Sequence, residues 1–197
     1  VLLSSNTSST WLNIVRDSSN LGRLKMVNIT DSFISNCFIS NGGQGDACVL
    51  ENSGNNRAIN NHYLATGTAH HCIYVSGTSR LNTISNSHFE TGWDANNTCY
   101  GIATSPDASF TDNIISYNTF GAVYMYPIFL RGDSSRNIIN GNIFDSCNTL
   151  GTAMSNIRLD ASTSGATQYN IVSGNSFIQT GAARSRAILE YDGTYDP

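Results

Sequence analysis

Charge is scarce in this chain. Only 12% of its 197 residues are Asp, Glu, Lys or Arg, and it has 3 prolines and 2 tryptophans. Helical surfaces normally draw on Glu, Lys and Arg. A chain that relies instead on Asn, Ser, Thr and 17 glycines suits turns and strand exteriors better. The formal charge of −4 gives no electrostatic reason to expect nucleic acid or an anionic membrane as partner. No apolar run approaches the roughly 20 residues of a membrane span. There is no Gly-rich phosphate loop, nucleophile elbow or thiol–imidazole pair. The five cysteines, Cys37, Cys48, Cys72, Cys99 and Cys147, have no paired or metal-type spacing, so reduced, buried thiols and folding in a reducing cytosol are expected. Val1 opens the chain without Met or signal peptide, which reads as a fragment or processed product.

What the chain does have is a recurring phrase. "NTISNSHF" at Asn82, "NIISYNTF" at Asn113, "NIINGNIF" at Asn137 and "NIVSGNSF" at Asn170 are near-copies. Aligning the apolar residue that opens each copy gives Ile34, Ile59, Ile84, Ile115, Ile139 and Val172, spaced 24 to 33 residues apart. Five positions on lies a second apolar set: Ile39, Leu64, Phe89, Phe120, Phe144 and Phe177. Between the two sets sits a polar bend carrying Asn36, Asn61, Asn86, Asn118, Asn142 and Asn175. Asn tolerates the left-handed backbone of a sharp bend, and its amide can bond from one repeat to the next. A further alternating pair closes each unit: Cys48/Leu50, Ile73/Val75, Ile102/Thr104, Ile128/Leu130, Ile157/Leu159 and Ala187/Leu189. Leu12 and Ile14 suggest an equivalent pair for an incomplete first turn over residues 1–27.

Three short period-2 segments per unit and no helical stretch predict an all-β solenoid with strands stacked about 4.8 Å apart. From about Ile29 to Leu189 the chain resembles the right-handed parallel β-helices of the pectate-lyase-like superfamily, with three short strands per coil and an Asn ladder at one bend. One domain over residues 1–197 is expected, with about six to seven coils. The texture, rich in Ser, Thr, Asn and Gly, is most similar to bacteriophage tailspikes and capsule depolymerases. That resemblance implies a homotrimer of the virion tail, made in the host cytoplasm, that binds a bacterial surface polysaccharide and cleaves it as an endoglycosidase or lyase without a cofactor. The alternatives are a non-catalytic trimeric stalk or receptor-binding segment, and a secreted polysaccharide lyase or epimerase. The clustered Asp residues that hold calcium in lyases of this superfamily are not evident, nor is an Asp-Pro-His motif.

Stacking turns sequence offsets into surface columns. One outward column on the face that binds sugar in the resembled fold reads Val49, Tyr74, Ala103, Phe129, Arg158, Ile188. The next reads Glu51, Ser76, Ser105, Arg131, Asp160, Glu190. Rings and cations beside carboxylates suit an oligosaccharide groove, and they equally suit a subunit interface with a charged rim. Asp107 and Asp133 each lie five residues after a strand anchor on consecutive coils. Carboxylates about 5 to 6 Å apart would match retaining glycoside hydrolysis, with one pKa raised by like-charge repulsion. The plainer reading is that both Asp cap turns. The loop Glu90–Tyr100 is an insertion, where Trp93 would be a sugar platform and Glu90 or Asp94 an acid or base; Tyr124 and Tyr126 would extend it. Arg131 and Asp160 read as an ion pair. His70 and His71 point opposite ways on an extended chain, so no metal site is expected.

Overall fold

A computed structural model describes residues 2–10, 13–15, 22–92, 99–147, 155–161, 167–178 and 186–191. Among them there is strand, turn and bend but no helix, so none is long and apolar enough to cross a membrane. Three sheets of eight, seven and six strands, here A, B and C, contain parallel pairings throughout, and a two-stranded sheet pairs Thr78–Arg80 with Ser109–Thr111. From Phe33 onward the chain visits B, C and A in turn: Phe33–Ser35, Phe38–Ser40 and Cys48–Glu51 are followed by Arg57–Ile59, His62–Ala65 and His71–Ser76. Each pass lies on the previous one. About three strands per layer is compatible with the parallel solenoid that the repeat predicts.

The B-to-C turn explains the recurring phrase. It is always two residues long, and the two have different tasks. The first adopts a left-handed backbone: Asn36, Asn60, Asn86, Tyr117, Gly141 and Gly174 all have φ between 50° and 65°. The second turns its side chain inward and bonds between layers. Cys37 N–H donates to Asn61 Oδ1 (3.0 Å), Asn61 N–H to Ser87 Oγ (3.1 Å), and Ser87 N–H to Asn118 Oδ1 (3.0 Å). Asn118 and Asn142 continue the series onto Asn142 and Asn175 at 3.0 and 2.9 Å. Asn36 and Asn86 therefore shape the bend, and Asn61, Asn118, Asn142 and Asn175 form the ladder, rather than all six doing both.

A second ladder runs along the A-to-B bend, although only one is expected from sequence. There the left-handed residues are Asp31, Asn55, Leu81, Asp112, Arg136 and Tyr169. The residue after each passes its N–H to the next layer: Ser32 to Asn56, Asn56 to Asn82, Asn82 to Asn113, Asn113 to Asn137 and Asn137 to Asn170, at 2.8 to 3.1 Å. Most of these amides are buried, where a lone backbone N–H costs roughly 1–3 kcal/mol. The ladders satisfy donors that the sharp bends would otherwise strand.

The interior is built of columns. Ile34, Ala58, Ile84, Ile115, Ile139 and Val172 stack in sheet B. In sheet C, Tyr63, Phe89, Phe120, Phe144 and Phe177 pile up with centroids 4.7 to 5.1 Å apart and planes within 15° of parallel. The second layer thus differs from the expected alignment by one residue. Ala58 and Tyr63 face inward, not Ile59 and Leu64, because the Asn60–Asn61 bend and not apolar bulk fixes the frame. Ile14 pairs with Ile34 in sheet B, so it is equivalent to the opening anchor rather than to the closing pair. Leu24 and Met26 supply that closing pair, over Cys48 and Leu50 in sheet A. In the last layer Ile188, not Ala187, pairs with Ile157, and Leu189 lies beside Arg158. All five cysteines are buried and none forms a disulfide. Burial, helped by the charge of Asp46, pushes the Cys48 thiol up to about 12.

Candidate functional site

The strands of sheet A carry the expected outward column, in register from Val49 through Tyr74, Ala103 and Phe129 to Arg158. Its centre is more closed than a bare stripe. Ala103 is small, and Tyr100, Tyr126 and Phe129 collapse over it into a second apolar cluster separate from the interior core. Tyr126 and Phe129 are only 6% and 7% exposed, so they lie beneath the surface; Tyr74 and Tyr100 remain half-buried at the rim. His71 joins the ring array, 4.7 Å from Tyr100 and 5.0 Å from Tyr74 between centroids. Burial draws the His71 imidazole below its ordinary range despite the charge of Asp46, which leaves a neutral ring among neutral rings. Burial likewise raises the Tyr100 phenol.

Two arginines fasten this array. Arg131 lies over the Phe129 ring at 5.0 Å, with its Nε donating to the Thr104 carbonyl at 2.7 Å. Arg158 lies over Tyr126 and Phe129, both at 5.3 Å; it donates to the Tyr126 hydroxyl at 2.9 Å and to Asp160 Oδ2 at 3.0 Å. Asp160 is the register partner of Arg131, yet it takes a hydrogen bond from Arg158 on its own strand. Partly desolvated guanidinium–ring contacts are worth up to about 2 kcal/mol. The expected binding residues Tyr74, Tyr126, Phe129, Arg131 and Arg158 are thus brought together on one face. Trp93 and Asp94 lie outside the described residues.

The two acids do not share a register position. The four-residue turn Ser105–Ala108 precedes the bridge, and Asp133 lies opposite Ser109 rather than Asp107. Asp107 accepts a hydrogen bond from Ser105, which with its own backbone N–H holds its carboxyl below the usual range. Asp133 accepts from Ser135 (3.1 Å) and Ser109 (3.3 Å). Both carboxylates have the bonding of turn caps.

On the outer face of sheet C, the one-residue change of frame creates an arrangement that sequence reading misses. His62 pairs with His88 in register, and the two rings meet edge to face at 4.9 Å. Glu90, two residues after His88 and on the same side of the strand, receives both: His88 Nε2 is 2.8 Å from Oε1 and His62 Nε2 is 3.2 Å from Oε2. Burial alone would raise the Glu90 carboxyl, but the hydrogen bond and charge of His88, followed by those of His62, hold it below its usual range. The imidazoles border a shallow trough of about 590 Å³ that also touches Phe38, Tyr117 and Thr119. His70, by contrast, accepts from Gly45 N–H on Nε2 at 3.2 Å, and His71 belongs to the sheet A array.

No family model and no curated protein matches the chain.

Proposed function

We propose that this chain is part of a right-handed parallel β-helix of the pectate-lyase-like kind, most similar to a bacteriophage tailspike, and that the outer face of sheet A binds a bacterial surface polysaccharide. The observation that carries this reading is the Arg-fastened ring array, with Tyr74, Tyr100 and Arg131 half-buried at its rim and Tyr126 and Phe129 fixed beneath. Sugar C–H faces pack on aromatic rings whose conformational entropy has already been lost, and guanidinium groups bond hydroxyls and carboxylates. The connections Asn41–Ala47 and Ala122–Pro127 lead from sheet C into sheet A, and loops on a rigid scaffold are where specificity collects.

Binding is better supported than cleavage. In a hydrolytic version Asp107 and Asp133 would supply the two carboxyl groups. The experiment is incubation with a panel of capsule and lipopolysaccharide preparations, scoring retention, new reducing ends and ultraviolet-absorbing unsaturated products. Retention by the wild type that Tyr74→Ala with Arg131→Ala abolishes is the expected result. Retention unchanged in that variant removes the site. Cleavage that survives both Asp107→Asn and Asp133→Asn removes the hydrolytic assignment.

A non-catalytic stalk is favoured by a different observation. Along sheet B the outward column runs Arg57, Thr83, Ile114, Ile138, Ile171, and Ile114 and Ile171 are 38% and 57% exposed. Such an apolar strip suits contact between subunits of a homotrimer. Light scattering of the wild type and of Ile114→Asp with Ile171→Asp separates the readings: a trimer that becomes monomeric supports the strip as an interface, and a monomeric wild type removes it.

A further inference from the structure

We propose that His62, His88 and Glu90 form a binding site for a borderline divalent transition-metal ion of the zinc type. The inference is independent of the polysaccharide reading. Three donor atoms, two imidazole nitrogens and one carboxylate oxygen, lie within 4.8 Å of one another on adjacent parallel strands. Zinc–ligand distances of about 2.0–2.2 Å place the ligands of a tetrahedral ion roughly 3.3 Å apart. The contacts already present, 2.8 and 3.2 Å from the two Nε2 atoms to the carboxylate, are on that scale. An ion would replace the protons now shared between these groups.

Four neighbouring features suit the site to this role. The His62 and His88 rings stand 82° apart, so both present Nε2 to Glu90. Phe38, one layer below, packs edge-on against His62 at 4.9 Å and gives the site an apolar wall. Gly121, the register partner of Glu90, places no side chain above it, and a Cβ there would lie 3.1 Å from His88 Cε1. The two outward columns through the site read Phe38, His62, His88, Thr119, Ile143 and Ser40, Leu64, Glu90, Gly121, Asp145. They contain no Lys or Arg to compete for the carboxylate, and Asp145 adds a second negative charge nearby. Two imidazoles with one carboxylate select zinc, cobalt, nickel or copper over calcium or magnesium, which prefer oxygen. Three protein ligands leave one position for water or an anionic group, and side-chain exposures of 37 to 42% keep it open to solvent.

The test uses the intact chain after treatment with a chelator. Zn²⁺ is titrated calorimetrically, and Co²⁺ by its visible ligand-field absorption. One ion per chain is expected, with tetrahedral-type cobalt bands and no thiolate charge-transfer band. His62→Ala and His88→Ala should each weaken binding by more than the roughly 10–100-fold lost with an outer-sphere partner, with the far-ultraviolet circular dichroism retained. Gly121→Ala, which removes no ligand, should weaken it less, by crowding the His88 ring. Absence of binding to the wild type, undiminished affinity in His62→Ala/His88→Ala, or a cobalt–thiolate spectrum each overturns the proposal.

Discussion

The outer faces of sheets A and C are built from the same layers but end in opposite states. On sheet A the polar and aromatic groups bind one another, so that Phe129 is 7% exposed and Arg158 spans two rings and a carboxylate. On sheet C the groups converge but stay open, with the His62, His88 and Glu90 side chains at 37 to 42% exposure. Residue size makes the difference. Ala103 leaves a gap into which neighbouring rings fall, whereas His62 and His88 meet edge to face and the space at Gly121 stays unfilled. The space over Ala103 is filled by neighbouring rings, so that face presents a preformed surface, whereas the space beside Glu90 is left unfilled.

The comparison breaks most severely from inside. Phe120 is fully buried between Phe89 and Phe144 and supports sheet C from beneath. Phe120→Ala should cost about 3–5 kcal/mol, read as a fall in the urea midpoint. Asn113→Ala leaves the buried Asn82 N–H without its acceptor and should cost about 1–3 kcal/mol by the same measurement. The faces themselves should differ. Arg158→Ala removes the clamp on Tyr126 and should cost about 1–2 kcal/mol, whereas His88→Ala in chelated buffer should change stability by less than about 0.5 kcal/mol. Equal losses at the two positions would remove the distinction between a closed and an open face. One further effect has the opposite sign. Leu81 has φ 59° and is 53% exposed; Leu81→Asn, which tolerates that backbone, should stabilise by less than about 1 kcal/mol.

Much of this was legible because the repeat spells out its bends. The Phe at Phe89, Phe120, Phe144 and Phe177 and the Asn at Asn118, Asn142 and Asn175 stand where the recurring phrase puts them, five residues being enough to cross from one sheet to the next. Apolar bulk alone is a poor guide to which residue faces inward. Taking Leu64 as inward places His62, two residues earlier, inward as well, whereas His88, next to inward Phe89, must face outward. A slip of one residue exchanges faces, and so it hid the His62–His88–Glu90 cluster while His70 and His71 drew attention by adjacency. The second ladder was present as the opening Asn of each phrase, but nothing in spacing alone says that an amide is buried. Asp107 and Asp133 share an offset from Ile102 and Ile128, yet the turn at Ser105–Ala108 inserts two residues before the bridge with Asp133. Counting from an anchor holds only until the first irregular turn.

The pile of rings from Tyr63 to Phe177 has an implication for how such a chain changes over time. Alignment between layers is not left to the two-residue corners alone: the excursions at Asn41–Ala47 and Ala122–Pro127 also bond across layers, Thr66 N–H to Asn41 Oδ1 and Tyr124 N–H to Thr91 Oγ1. Changes confined to residues of these segments that make no such bond would leave the layers in phase.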